Sequence, residues 1–151
     1  MIALLQRVTE ASVTVDDATV ARIGTGLLVL VGVERGDTGA QARRLAERLL
    51  GYRVFPDGDG RMNLGIRETG GALLLVPQFT LAADTDKGMR PGFGAAADPD
   101  TGAARFEDLV SHARAGGVAV ETGVFGAHMR VHLVNDGPVT FRLRVPPPPA
   151  D

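Results

Sequence analysis

The chain has 151 residues, a single-domain length, and 44% of them are hydrophobic, enough for one sizeable core. Its formal net charge of −2 argues against indiscriminate nucleic-acid binding but leaves room for a local basic patch. With no cysteine, disulfides, thiolate nucleophiles and zinc–sulfur sites are excluded, and no apolar run reaches the roughly eighteen residues a membrane span needs.

The opening MIALLQRVTE lacks a basic start and a long apolar stretch, so it does not read as a signal peptide, and the cytoplasm is the expected compartment. Residues 2–15 mix apolar and polar positions in the manner of a strand. Asp16-Asp17 reads as a turn and residues 19–23 as the return strand. Gly24 and Gly26 bracket another turn, and residues 26–33 (GLLVLVGV) predict a strand buried on both faces. Asp37 and Thr38 then offer a helix N-cap. Ala42, Leu45, Ala46, Leu49 and Leu50 follow at i, i+3, i+4, i+7 and i+8, one face of a helix that Gly51 ends. Residues 52–55 read as a short strand and 56–60 as a loop.

Residues 72–81 predict the next strand. The segment from 82 to about 98 is long and irregular, a pattern that favours function. A second helix is expected over 103–115, with Phe106, Leu109, Val110 and Ala113 on one side and Gly116-Gly117 as its stop. Strands at 118–121, 129–135 and 139–145 complete the chain, the last two separated by Asp136-Gly137-Pro138. A tight turn would explain that interruption; so would a Gly-Pro peptide whose backbone must meet something. The expected class is α/β: a strand-rich, barrel-like single domain over 1–145 with two main helices and mixed or antiparallel sheets. The prolines at 146–149 place a disordered tail at 146–151.

Most candidate motifs resolve into structure. Gly24-Thr25-Gly26 precedes a strand instead of following one, so it is not a dinucleotide loop. Asp57-Gly58-Asp59 opens like a calcium loop but lacks its later ligands, and is read as a solvated turn. No two of His112, His128 and His132 share a metal-binding helical spacing with a carboxylate partner, and neither Ser12 nor Ser111 sits in a nucleophile elbow. Two stretches keep two readings each. Val76-Pro77-Gln78-Phe79-Thr80-Leu81 is either an edge strand with polar surface residues or a strand end exposing N–H groups suited to an oxyanion. Lys87 and Arg90, around Gly88, either grip phosphate or decorate a solvated loop.

Several separated motifs together carry a resemblance: LLQRVTEASVTV, GLLVLVGVERGD, MNL at 62–64, PQFTL at 77–81, DTDKGMRPGF at 84–93 and ETGVFGAHMRVHLVNDGPVTF at 121–141. In order, spacing and coverage the chain resembles the D-aminoacyl-tRNA deacylase family. The resemblance implies a homodimer that hydrolyses the ester between a D-amino acid and tRNA, accepts glycyl-tRNA, and needs neither metal nor organic cofactor. It implies no DNA or membrane partner. It assigns catalysis to Gln78, Phe79 and Thr80, and tRNA contacts to Lys87 and Arg90. It makes Gly137 and Pro138 a cis pair inserted into the active site of the other subunit, where they exclude L-amino acids, with Arg7 bracing them. One position departs from the family pattern: Pro77 stands where the family usually has serine. A related branch of relaxed chirality also carries Pro-Gln, but its Gly-Pro is trans; the intact Asn135-x-Gly137-Pro138-Val139-Thr140 favours the strict branch. The alternatives are that relaxed branch, an RNA-binding relative without activity, or a hydrolase of small D-amino-acid esters.

Overall fold

The computed structural model describes residues 1–150. Strand β1 (Ile2–Val15) organises the fold. β8 (Arg130–Arg144) runs antiparallel along one side of it; β3 (Gly26–Gly32) pairs with its first half and β2 (Ala18–Ile23) with its second on the other. From β3 the sheet continues in parallel through β6 (Ala72–Pro77) to β7 (Ala119–Thr122). β2 also touches β6 and β7, so the sheet nearly closes on itself, giving the strand-rich, barrel-like α/β architecture expected from the sequence.

Side-chain alternation divides the interior in two. Leu27 and Val29 on β3, with Leu73 and Leu75 on β6, face the helices; Leu28, Leu74 and Val76 face the inside of the curled sheet. β3 is therefore buried on both faces, as its unbroken apolar run predicts. The odd positions of β1 change sides midway: Ala3 and Leu5 pack toward the helices, whereas Ala11 and Val13 pack, with Val8, inside the curl. The switch follows from an extra residue, Thr9, between the pairs Val8↔Asn135 and Glu10↔Val134, since a one-residue slip reverses every later side chain. At Gly26 the strands come so close that a Cβ would lie 1.9 Å from the Ala72 carbonyl oxygen, and only glycine fits.

Helix α1 (Gly39–Gly51) starts at Thr38 with a capping box to Gln41 and buries all five residues of its predicted face. It packs beside α3 (Pro99–Ala115), which buries Phe106, Leu109, Val110 and Ala113. α3 begins before residue 103: Asp98 caps it by accepting from Thr101 N at 3.0 Å, and Pro99 takes the first helical position. Burying a side chain the size of Leu or Phe contributes about 1.5–3 kcal/mol, so this helix layer is a principal source of stability.

Three sequence expectations need correction. The strand over 72–81 ends at Pro77, where proline has no N–H to extend the ladder on the β7 side, and Phe79–Ala82 forms a 3-10 turn. The short strand at 52–55 is instead Phe55–Pro56 (β4), paired with Met62–Leu64 (β5) and followed by a one-turn helix, Ile66–Thr69 (α2), too short to show a period. Residues 129–135 and 139–145 are not two strands around a turn. They are one strand, β8, carrying a large bulge at Gly137-Pro138.

Met1 and the end of β8 meet in a buried ionic cluster. The Met1 ammonium lies 2.8 Å from the Asp37 carboxylate and 3.3 Å from Glu34, and donates to Val145 O at 2.6 Å. Arg144 grips Glu34 from the other side at 2.7 Å. Burial pushes the Asp37 carboxyl above its ordinary value. Burial also pushes Glu34 up, but Arg144 and the ammonium more than offset it, and its net shift is downward. No helix among the described residues is long and apolar enough to cross a membrane.

Candidate functional site

The end of β6 is where unused hydrogen-bonding capacity collects. β6 follows β3 up to the pair Val31↔Pro77, and β7 up to the pair Leu75↔Thr122. Gln78 N then donates to Val31 O at 2.7 Å, taking the ladder one step beyond the proline. The chain turns at once: Leu81 N donates to Gln78 O at 3.2 Å and Ala83 N to Thr80 O at 3.1 Å. The N–H groups of Phe79 and Thr80, at the first two positions of the 3-10 turn, have no acceptor among the described residues. Both residues are exposed. Two neighbouring backbone donors are thus left for an outside acceptor. Of the two sequence readings, the edge strand is therefore the poorer description: β6 lies between β3 and β7 and ends in exposed donors.

The same strand end forms one wall of a pocket of about 580 Å³, lined by Pro77, Gln78 and Phe79 and by Phe93, Phe125 and Met129 across from them. Phe79 is 58% exposed, and its ring lies 5.2 Å from that of Phe93. An exposed pair of rings beside an apolar hollow suits a flat, partly apolar group such as a nucleobase.

The side-chain chemistry at this point is sparse. The Gln78 side-chain amide donates to the Thr80 hydroxyl, leaving the hydroxyl proton without a basic partner. The pocket's titratable side chains are Asp98 and His128. Asp98 is already committed as the cap of α3, and the Thr101 N–H holds its carboxyl below the ordinary value. Neither hydrogen-bonds Thr80. No group of three His, Asp or Glu residues converges among the described residues.

Lys87 and Arg90 lie on a small projecting loop closed by reciprocal bonds between Asp84 and Gly92, at 2.7 and 2.9 Å. Both are exposed, and neither forms an ion pair among the described residues. Gly88 between them has φ 71°, a left-handed turn that glycine permits.

The Gly137-Pro138 peptide is cis. It sits on a projection of β8: Gln6 faces Thr140 and Val8 faces Asn135, so Arg7 alone faces residues 136–139. Both Gly137 and Pro138 are exposed. Gly137 has φ 139°, and a Cβ there would lie 2.6 Å from a Val139 methyl, so the tip needs glycine. Arg7 Nε donates to Asp136 O at 3.0 Å and Nη1 to Val54 O at 2.7 Å. Within one chain the structure brings Gln78, Phe79 and Thr80 together. It does not join them to Gly137 and Pro138 by any hydrogen bond among the described residues. Sequence reasoning missed the pocket rings Phe93 and Phe125, which lie in irregular segments without periodicity. It also missed the side-chain roles of Gln6, Asn135 and Thr140 around the projection.

Comparison with known proteins adds four findings. A family model described as D-Tyr-tRNA(Tyr) deacylase matches residues 4–144. The D-aminoacyl-tRNA deacylase of Thioalkalivibrio sulfidiphilus is 66% identical over 148 residues, 98% of this chain and 99% of that protein. Among solved structures, a c-Myc DNA unwinding element binding protein superposes with a TM-score of 0.91 at 35% identity, covering 97% of this chain and 99% of the other. A probable eukaryotic D-amino acid tRNA deacylase shares the fold with a TM-score of 0.76 at 21% identity, covering 94% and 98%.

Proposed function

Because the chain belongs to the D-Tyr-tRNA(Tyr) deacylase family, we propose that it is a hydrolase that cleaves the ester between a D-amino acid and the terminal ribose of tRNA, releasing free amino acid and tRNA. The observation that carries this reading is the pair of unused N–H groups on Phe79 and Thr80 at the mouth of an apolar pocket. Acyl transfer from an ester passes through a tetrahedral oxyanion, and one such donor typically contributes about 10²–10³ in rate. The ester carbonyl lies against these donors, and the terminal base enters the pocket beside Phe79 and Phe93.

Water is the attacking group, with the vicinal 2′-hydroxyl of the ribose assisting. Water adds to the carbonyl carbon, the ester C–O bond breaks, and the departing ribose oxygen takes up a proton. Support for substrate assistance comes from the protein side: Thr80 Oγ1 hydrogen-bonds no base among the described residues, and Pro77 removes the hydroxyl usual in the family. Lys87 and Arg90, projecting and unpaired, hold the phosphates of the acceptor end.

Gly137 and Pro138 come from a second copy of the chain. The lack of any hydrogen bond joining them to Phe79 and Thr80 among the described residues of one chain fits that arrangement. Main chain at the tip forms a wall where an L side chain would project, so D-aminoacyl and glycyl esters enter and L-esters do not. The place of work is the cytoplasm, where aminoacyl-tRNA is used.

Incubation with D-tyrosyl-tRNA, followed by assay of free tyrosine, tests the reaction. Tyrosine should be released in the absence of added metal. Tight tRNA binding without release would favour an RNA-binding relative that has lost activity, with Pro77 as its mark. Comparable rates on small D-tyrosyl esters would favour a tRNA-independent esterase. Duplex DNA is a useful competitor, because one structural relative is named a DNA unwinding element binding protein; at a net charge of −2 it should compete poorly.

A further inference from the structure

We propose that Asn135, backed by Thr140 and Gln6, is a positioning residue that fixes the Gly137-Pro138 projection and so sets how strictly L-aminoacyl esters are excluded. The inference rests on the wall role given to that pair above.

A projection in which residues 136–139 face a single partner disrupts the strand ladder, and its backbone groups need other partners. Pro138 has no N–H, so the first donor on the returning side is Val139 N. It donates to Asn135 Oδ1 at 3.0 Å. That contact fixes the orientation of the amide, because a backbone N–H can only donate. The other end of the amide, Nδ2, then donates to Thr140 Oγ1 at 2.9 Å. Gln6, directly opposite Thr140 in the register, donates to the same hydroxyl from Nε2 at 3.3 Å.

One side chain therefore ties the last residue before the projection to its final residue, Val139, and to the first residue after it, Thr140. Arg7 holds the outgoing limb at Asp136 O; Asn135 holds the returning limb at Val139 N. Val139 itself is buried in the main core, which anchors that limb below the tip. A glycine-containing tip has little stiffness of its own, so its position depends on these two grips. Without the Asn135 amide the returning limb can shift, and a wall made of main chain loses its fixed distance from the ester.

The test uses D- and L-tyrosyl esters on one tRNA with wild type, Asn135→Ala, Asn135→Asp and Pro138→Ala. The readout is the D/L rate ratio, which does not depend on the fraction of protein that is active. Asn135→Ala should lower the ratio about tenfold, mainly through faster L-ester hydrolysis; this is about 1.4 kcal/mol of discrimination. Asn135→Asp keeps an acceptor for Val139 N and should stay within about threefold of wild type. If Pro138→Ala collapses the ratio and Asn135→Ala leaves it unchanged, the positioning role is overturned and the wall role survives. If Pro138→Ala also leaves it unchanged, both fall. Should Asn135→Ala not fold, Thr140→Val carries the test. It removes the hydroxyl that Asn135 binds while nearly preserving shape, and an unchanged ratio there would overturn the inference.

Discussion

Arg7→Ala cuts two anchors at once. The guanidinium donates to Asp136 O at 3.0 Å and to Val54 O at 2.7 Å, and its side chain is only 13% exposed. A hydrogen bond to a charged group contributes about 1.5–3 kcal/mol, so the two together amount to about 3–6 kcal/mol. Water can replace the arginine at the exposed projection more easily than at Val54, which is fully buried. The ion pair with Asp136, at 3.6 Å and with that carboxylate 54% exposed, adds little, about 0–1 kcal/mol. The expected loss of unfolding free energy is therefore about 2–4 kcal/mol. With a urea slope of about 2 kcal/mol/M, the middle of the usual range, the midpoint should fall by about 1–2 M. Lysine cannot reach both acceptors with one ammonium, so Arg7→Lys should recover only part of the loss. The functional consequence is a lower D/L ratio, because the outgoing limb of the projection is freed. A midpoint within about 0.3 M of wild type, together with an unchanged D/L ratio, would refute the bracing role.

Four further outcomes separate the parts of the account. Phe79→Pro deletes one oxyanion donor at a turn position that tolerates proline; single-turnover hydrolysis should fall about 10²–10³-fold relative to Phe79→Leu, which keeps the N–H. Thr80→Ala keeps its N–H and should lose less than about tenfold, whereas a loss of about a thousandfold would assign attack to the hydroxyl. Replacing Lys87 and Arg90 together by alanine should weaken tRNA binding and flatten its log–log salt slope by about 1.4–1.8; an unchanged slope removes them from the interface. The Glu34 carboxyl, whose folded value is lowered, contributes stability that is present above its unfolded value and is lost as pH falls through its folded value. Urea titrations between about pH 3 and 7 should therefore show a shallower acid-side loss in Glu34→Gln than in wild type; parallel curves would contradict this. Asp37, raised by burial, acts with the opposite sign.

How much of this was legible depended on whether the signal was local. The helix at 39–51 could be read down to its cap, because Thr38, Gln41 and the apolar face all lie within a few turns. The doubly buried strand β3 was legible from its unbroken run. The site itself was half legible. Pro77 announced a strand end, and the polar residues after it announced exposed donors, but the 3-10 turn that frees the N–H groups of Phe79 and Thr80 leaves no period in the sequence. The β8 projection misled for a related reason. Asp-Gly-Pro is a good turn sequence, and only pairing with β1, which is 129 residues away at the Arg7–Asp136 contact, turns it into a bulge within one strand. The pocket opposite β6 draws Phe93 and Phe125 from two loops far apart in the chain, a convergence that only the folded sheet creates.

The most direct measurement compares single-turnover hydrolysis of D-tyrosyl and L-tyrosyl esters carried on the same tRNA. Rapid release from the D-ester, with the L-ester decaying no faster than without protein, is the predicted result. Equal enzymatic rates on the two mirror images would contradict an active site walled by Gly137 and Pro138.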